Sequence, residues 1–240
     1  MRPLIISLIT ILFSHFVFAQ TSTRIDFLPY LSYWNYQDTF SKDHSLISGV
    51  YGYYGLGLRH VLESDIAYSR ISYSGTGFMV GPRRFRSKSI NIDQLDLTAA
   101  YTNYSFPNLK VRGGMHYIIS DDSLTNNGFV LFSGIHRYRA NQYTVGLDVY
   151  GSFYSDYNPD LKLIQLTGQF GFYFGNYFTT GSFFAQTKGY YINLSDKVSF
   201  GDDQYASIEQ SLSYFYKDVT LKAFFWTGFQ VLGVQNDGFV

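Results

Sequence analysis

The amino-acid sequence predicts an all-β protein, an antiparallel transmembrane β-barrel of about twelve strands. Three observations lead there. Segments of about 12–15 residues with period-two alternation recur along the chain, and that period places apolar side chains on one face of a strand and polar ones on the other. Rings are abundant: 23 Tyr, 23 Phe and 2 Trp make 20% of the residues, more than a water-soluble core needs, whereas a membrane barrel uses rings both as lipid-facing mass and as interfacial girdles. The chain also opens with an export leader. In Met1–Ala19, Arg2 supplies the positive start, Leu4–Phe13 is apolar, and Val17-Phe18-Ala19 offers a cleavage site before Gln20. Ser14 and His15 break the run short of the ~20 apolar residues that a membrane anchor needs. Residues 20–240 form one barrel domain.

Strand length separates a membrane barrel from a secreted sandwich. At ~3.3 Å per residue, a 12-residue strand reaches ~40 Å, or ~30 Å of height when tilted near 40°. Strands in soluble proteins are usually about half as long.

Taken in order, the predicted strands begin with Ile25–Tyr36 and Leu46–Arg59, joined by polar Gln37–Ser45. Asp65–Ser74 follows a tight turn at His60–Ser64; Tyr68 and Arg70 are expected to face inward, although Asp65 has the opposite parity. Ile90–Tyr104 follows the polar connection Gly75–Ser89. Leu109–Ser120, after Pro107-Asn108, sends Val111, Met115, Tyr117 and Ile119 outward and Lys110, Arg112 and His116 inward. Gly128–Arg139, after Asp121–Asn127, is mixed. Val130 and Phe132 oppose Ser133, Arg137 and Arg139, yet Ile135 shares the charged face and His136 the apolar one. A β-bulge is one way to reconcile such a pattern. Gln142–Tyr154 crosses the turn Ala140-Asn141 and turns Asp148, Tyr150 and Ser152 inward. Lys162–Gly175, after Ser155–Leu161, alternates most cleanly, with Ile164, Leu166, Phe170, Phe172 and Phe174 on one face. Tyr177–Asn193, Tyr205–Tyr216 and Val219–Gly233 complete eleven; the last turns Lys222, Phe224 and Trp226 inward. Odd strand counts are rare in single-chain bacterial barrels. Gln235–Gly238 is turn-forming, and Phe239-Val240 is read as the start of a twelfth strand.

Charge marks the inner face, because a Lys or Arg in mid-membrane lipid costs ~2–4 kcal/mol. The expected lumen-lining charges are basic Arg59, Arg70, Lys110, Arg112, Arg137, Arg139, Lys188 and Lys222, against acidic Asp96, Asp148 and Glu209. Such a lumen favours anions through its summed field. The same residues are also compatible with a packed interior in which charges pair and nothing passes.

Composition excludes several classes. The chain has 18 basic and 18 acidic residues, and losing Arg2 with the leader leaves one acid in excess; nucleic acid is not an expected partner. There is no cysteine, hence no disulfide or thiolate chemistry. No catalytic residues, metal or cofactor are expected. Of His15, His44, His60, His116 and His136, none carries a nucleophile–base signature, and His116 has no carboxylate assigned beside it. The connection Gly75–Ser89 holds a basic cluster, Arg83, Arg84, Arg86 and Lys88, suited to lipopolysaccharide phosphates or an acidic partner.

Long strands, ring-flanked tight turns and alternating short and long connections together resemble the bacterial outer-membrane β-barrel class across residues 20–240. No motif of a particular family is present. The resemblance implies an outer-membrane location among lipid and lipopolysaccharide, insertion by the barrel-assembly machinery, short turns in the periplasm and longer loops outside. The expected function is a small porin-like channel for small solutes, anionic ones among them. The alternative is a non-conducting surface or structural barrel that binds a ligand or lipopolysaccharide through its loops; an outer-membrane enzyme is the remotest reading.

Overall fold

Long alternating segments with asparagine and glycine at their junctions fold as one antiparallel sheet. The computed structural model describes residues 23–35, 42–73, 78–80, 83–85, 90–156, 160–176, 178–197, 202–217, 219–229 and 232–234. The leader, Arg86, Lys88 and residues 235–240, where a twelfth strand is expected to begin, lie outside them. The strands are β1 (Thr23–Asn35), β2 (Lys42–Leu56), β3 (His60–Tyr73), β4 (Phe78–Val80), β5 (Arg83–Phe85), β6 (Ile90–Asn103), β7 (Leu109–Ser120), β8 (Gly128–Arg139), β9 (Tyr143–Tyr154), β10 (Leu161–Asn176), β11 (Gly181–Leu194), β12 (Gln204–Tyr216) and β13 (Val219–Gly228). There is no helix among the described residues.

Eleven of these strands form one sheet in the order β1-β2-β3-β6-β7-β8-β9-β10-β11-β12-β13, every neighbour antiparallel. β4 and β5 make a separate hairpin inside the expected basic loop, with Arg83 and Arg84 in β5. Among the described residues β1 and β13 are not paired with each other, so the sheet is open at that seam.

Turn chemistry places the shorter connections. Asn108 and Asn141 adopt φ of 56° and 55°, a left-handed conformation that asparagine tolerates better than most residues. Gly57 takes φ 63° in the Gly57–Arg59 turn. That turn replaces the one expected at His60–Ser64: β3 starts five residues earlier than Asp65 and runs unbroken from His60. At Asn176, the side-chain oxygen accepts from Phe178 N and the carbonyl accepts from Thr179 N and Thr180 N. β11 therefore starts at Gly181 rather than Tyr177.

The two faces of the sheet differ. One carries Asp26, Asp65, Thr98, His116, His136, Asp148, Ser152, Gln165 and Ser211, all buried. The other exposes Phe27, Val50, Ile66, Leu97, Met115, Leu131, Leu147, Leu166, Ile208, Leu221 and Phe225. Side chains from seven strands between β2 and β11 line a single cavity, so the sheet curls around its polar face, called the inner face below.

That inner face is not uniformly polar. Ile118, Tyr154, Leu161, Leu163, Ile192 and Leu194 form an apolar cluster near the longer connections, with Tyr205 and Leu232 packed on it. Ala100, Val130, Phe132, Tyr150 and Val234 form another. The last strand, expected to run from Val219 to Gly233, ends at Gly228; Leu232 and Val234 fold instead onto this inner face.

Candidate functional site

The inner face beyond these clusters encloses a cavity of about 280 Å³ lined by Glu63, Lys110, Arg112, His136, Asp148 and Lys188, with tyrosines, Thr167, Gln169 and Val234 around them. Strict alternation delivers these side chains. In β9, Thr144, Asp148, Tyr150 and Ser152 share one parity; in β10, Gln165, Thr167 and Gln169 do.

Register brings the polar groups into pairs. Thr98 lies directly opposite His116. Its hydroxyl is 3.1 Å from His116 Nδ1, and His116 Nε2 is 2.9 Å from Asp96 Oδ1. Gln94 Nε2 donates to both Asp96 oxygens at 2.9 and 3.0 Å. His136 repeats the arrangement, with Nε2 2.7 Å from Asp148 Oδ1 and Nδ1 2.6 Å from Gln169 Nε2. Gln169 Nε2 also donates to Asp148 Oδ2 at 3.1 Å, and its Oε1 accepts from Gln186 at 2.7 Å. At His136 the Gln169 amide donates to Nδ1, which leaves Nε2–H facing the Asp148 carboxylate; the Thr98 hydroxyl on His116 Nδ1 can donate or accept.

A third network runs along the inner face from β2 to β7. Arg112 Nη1 on β7 binds Glu63 on β3 and also donates to Thr102 Oγ1 at 3.2 Å, while Tyr51 OH donates to Glu63 Oε1 at 2.5 Å. The Arg112 and Glu63 side chains are only 11% and 14% exposed. Tyr30 OH reaches Asp65 at 2.9 Å, and Tyr190 OH reaches Glu209 at 2.8 Å.

Glycines make this packing possible. Gly134 faces Asp148 and Gly146 faces His136 across β8 and β9. A Cβ on Gly134 would overlap Asp148 Oδ1 and lie 3.0 Å from its Cγ; one on Gly146 would overlap the His136 ring. Such overlaps forbid any larger residue without displacing the network.

A second cavity of about 450 Å³ shares Lys110, His136 and Gln169 with the first and adds Tyr104, Tyr138, Arg139, Asn141 and Tyr143. Together they lead from the end with the shorter turns toward Val234. Tyr104 lies in the turn after β6, edge-on to Tyr138 at 6.2 Å, and burial pushes its phenol up.

Of the expected inner charges, Asp96, Lys110, Arg112, Asp148, Lys188, Glu209 and Lys222 have inner-face parity, with Lys188 opposite Glu209 and Lys222 on the open edge. Four do not. Arg59 lies in the Gly57–Arg59 turn, outside the strands. Arg70 is on the outer face, where its Nε and Nη2 bind Asp93 at 2.7 and 2.9 Å and Tyr68 OH binds the same carboxylate at 2.7 Å. A paired charge near a strand end tolerates that face. Arg137 is exposed on the outer face near the end of β8, because His136 and Tyr138 turn inward; Arg139, of the same parity, ends β8 at the turn, where it lines the second cavity. No bulge is involved: the β8 register is continuous with both neighbours. His116 does have a carboxylate, Asp96.

Removing those arginines changes the balance. Glu63, Asp26 and Asp65 join the inner carboxylates, so the inner face is not predominantly basic. Glu63 and Asp65 share parity with Val61 and Ala67; placing the turn at Gly57 reveals both. Alternation in Lys162–Gly175 places Gln169 on the polar parity with Gln165 and Thr167, but nothing local names His136 and Asp148 as its partners; Val234 had no such signal, since a lone valine carries no chemistry that marks an interior. No group of three or more His, Cys, Asp or Glu suited to a metal occurs among the described residues. Compared with protein-family models, curated proteins and solved structures, the chain matches none.

Proposed function

We propose that this chain is a bacterial outer-membrane β-barrel, exported by the Met1–Ala19 leader, and that it works as a small porin-like channel for small solutes. One observation carries the reading. Outward-facing charges of known side-chain placement on the long strands, Arg70, Asp93, Arg137 and Lys162, all lie within four residues of a strand end. Between them the outer face carries no charge and is mostly apolar: Ile66, Leu97, Met115, Leu131, Leu147 and Leu166 are exposed, with Ser64, Ser133 and the mutually bonded Thr187–Gln210 pair as polar members. Water penalises such a surface and lipid does not. Rings add support at the short-turn end, where Phe170, Phe172, Phe174, Phe183 and Tyr214 make successive contacts on the outer face.

The inner face suits a narrow, weakly selective path rather than a strongly anion-selective one. Two of the expected inner cations face carboxylates, Arg112 with Glu63 and Lys188 across from Glu209, while Lys110 lies opposite His136 and Lys222 opposite Ser213. A paired field attracts neither sign strongly. One observation favours the non-conducting alternative, namely the interior filling by residues 232–234.

The test is refolding into detergent and then into planar bilayers. Heat-modifiable gel migration and small, weakly selective conductance steps are expected. An unchanged band with and without boiling would overturn the barrel; stable insertion without conductance under any condition would leave only the structural alternative.

A further inference from the structure

Six buried apolar side chains, Ile118, Tyr154, Leu161, Leu163, Ile192 and Leu194, sit on the inner face. A water-filled lumen gives no reason for them. What packs on them includes Leu232. Two residues later Val234, 9% exposed, enters the second cluster beside Val130, Phe132 and Tyr150. Its backbone is gripped by one side chain: Gln165 Nε2 donates to Val234 O at 2.7 Å, and Val234 N donates to Gln165 Oε1 at 2.8 Å. Gln165 is itself fully buried and braced by Thr167 Oγ1 at 3.0 Å. A side-chain amide thus pairs with the N–H and C=O of one residue, as a residue of an antiparallel neighbour strand would. Val234 then forms one wall of the polar cavity that holds Glu63, Arg112, His136 and Asp148.

We propose that residues 232–234 are an internal stopper, latched by Gln165, which closes the long-loop end of the interior and opens the passage when it leaves. The inference rests on the channel reading above. Strand ladders hold the wall, whereas among the described residues Val234 is held by one side-chain amide and by apolar contact. Release exchanges those two hydrogen bonds for water, uncovers Leu232 and Val234, and breaks no ladder among the described strands. It also joins the cavity to the long-loop exit, so the gate and the polar path share one wall.

Two variants loosen the latch from opposite sides. Gln165→Leu leaves Val234 N and O buried without their partner, which costs stability in the closed state. Val234→Pro removes the N–H and leaves the wall untouched, so it tests the latch even where Gln165→Leu folds poorly. Because the chain has no cysteine, Leu232→Cys alone reports exposure of the segment to a water-soluble maleimide. In vesicle-inserted, heat-modifiable protein, each latch variant is expected to raise the open fraction in bilayer recordings about tenfold, equivalent to ~1.4 kcal/mol, and to speed Leu232→Cys labelling by a similar factor. Wild-type conductance with unchanged values in both variants would overturn the stopper and spare the channel. Faster labelling without any conductance would overturn the channel, and the stopper as its gate.

Discussion

Substituting Gly134 by alanine adds one methyl group and tests the interior directly. Gly134 lies opposite Asp148 on the inner face, and a Cβ there would overlap Asp148 Oδ1. Backbone cannot yield easily, since β8 is paired on both sides. The carboxylate must swing away, losing His136 Nε2 at 2.7 Å and weakening Gln169 Nε2 at 3.1 Å. Hydrogen bonds to a charged group are worth ~1.5–3 kcal/mol each. Alanine returns ~0.5–1 kcal/mol by restricting the unfolded chain. The net expectation is a loss of about 2–4 kcal/mol by the same principles. Gly168 is the matched control: it faces outward on β10 opposite Gly189, and a Cβ on either meets nothing within 4 Å. Gly168→Ala should be neutral or stabilising by up to ~1 kcal/mol. Urea unfolding of protein refolded in phospholipid vesicles, followed by the fluorescence of Trp34 and Trp226, compares the two. Equal effects of the two substitutions would refute the assigned faces.

Other expectations use the same titration. Glu63→Ala strands Arg112 inside the sheet and should cost ~3–5 kcal/mol, with Glu63→Ala plus Arg112→Met recovering part of it; a neutral single variant would mean the pair is solvated. Met115→Arg puts a charge in the middle of β7 on the outer face and should cost ~2–4 kcal/mol in vesicles, whereas Arg137→Leu near the strand end should stay within ~0.5 kcal/mol. No penalty for Met115→Arg would argue against lipid on that face. Arg70→Gln breaks an exposed ion pair and should cost no more than ~1 kcal/mol; a larger loss would mean that the Arg70–Asp93 pair bears on the fold.

Much of the wall was legible because alternation is a local property. β7 and β8 were predicted with the boundaries they have, and β9, β10 and β12 within one residue at either end. Errors arose where charge was used as a marker of direction. In β3, Arg70 looks inward by its charge, yet Asp93 on the next strand neutralises it outside, while Asp65 turns in to meet Tyr30 from two strands away. In β8, His136 looked misplaced among apolar neighbours because its partners, Asp148 and Gln169, belong to β9 and β10.

The sequence by itself determined which segments become strands, where most turns fall and which parity of each clean strand is apolar, because a strand's two faces and a turn's left-handed residue are written in adjacent positions. Only the tertiary structure decided what the inner face holds. Charges whose parity was at odds with their strand took their face with partners dozens of residues away, as Asp65 did with Tyr30, and the inner apolar clusters made sense only once Leu232 and Val234 folded back onto them. Pairing across a curled sheet is a non-local energy, and no window along the chain contains both of its halves.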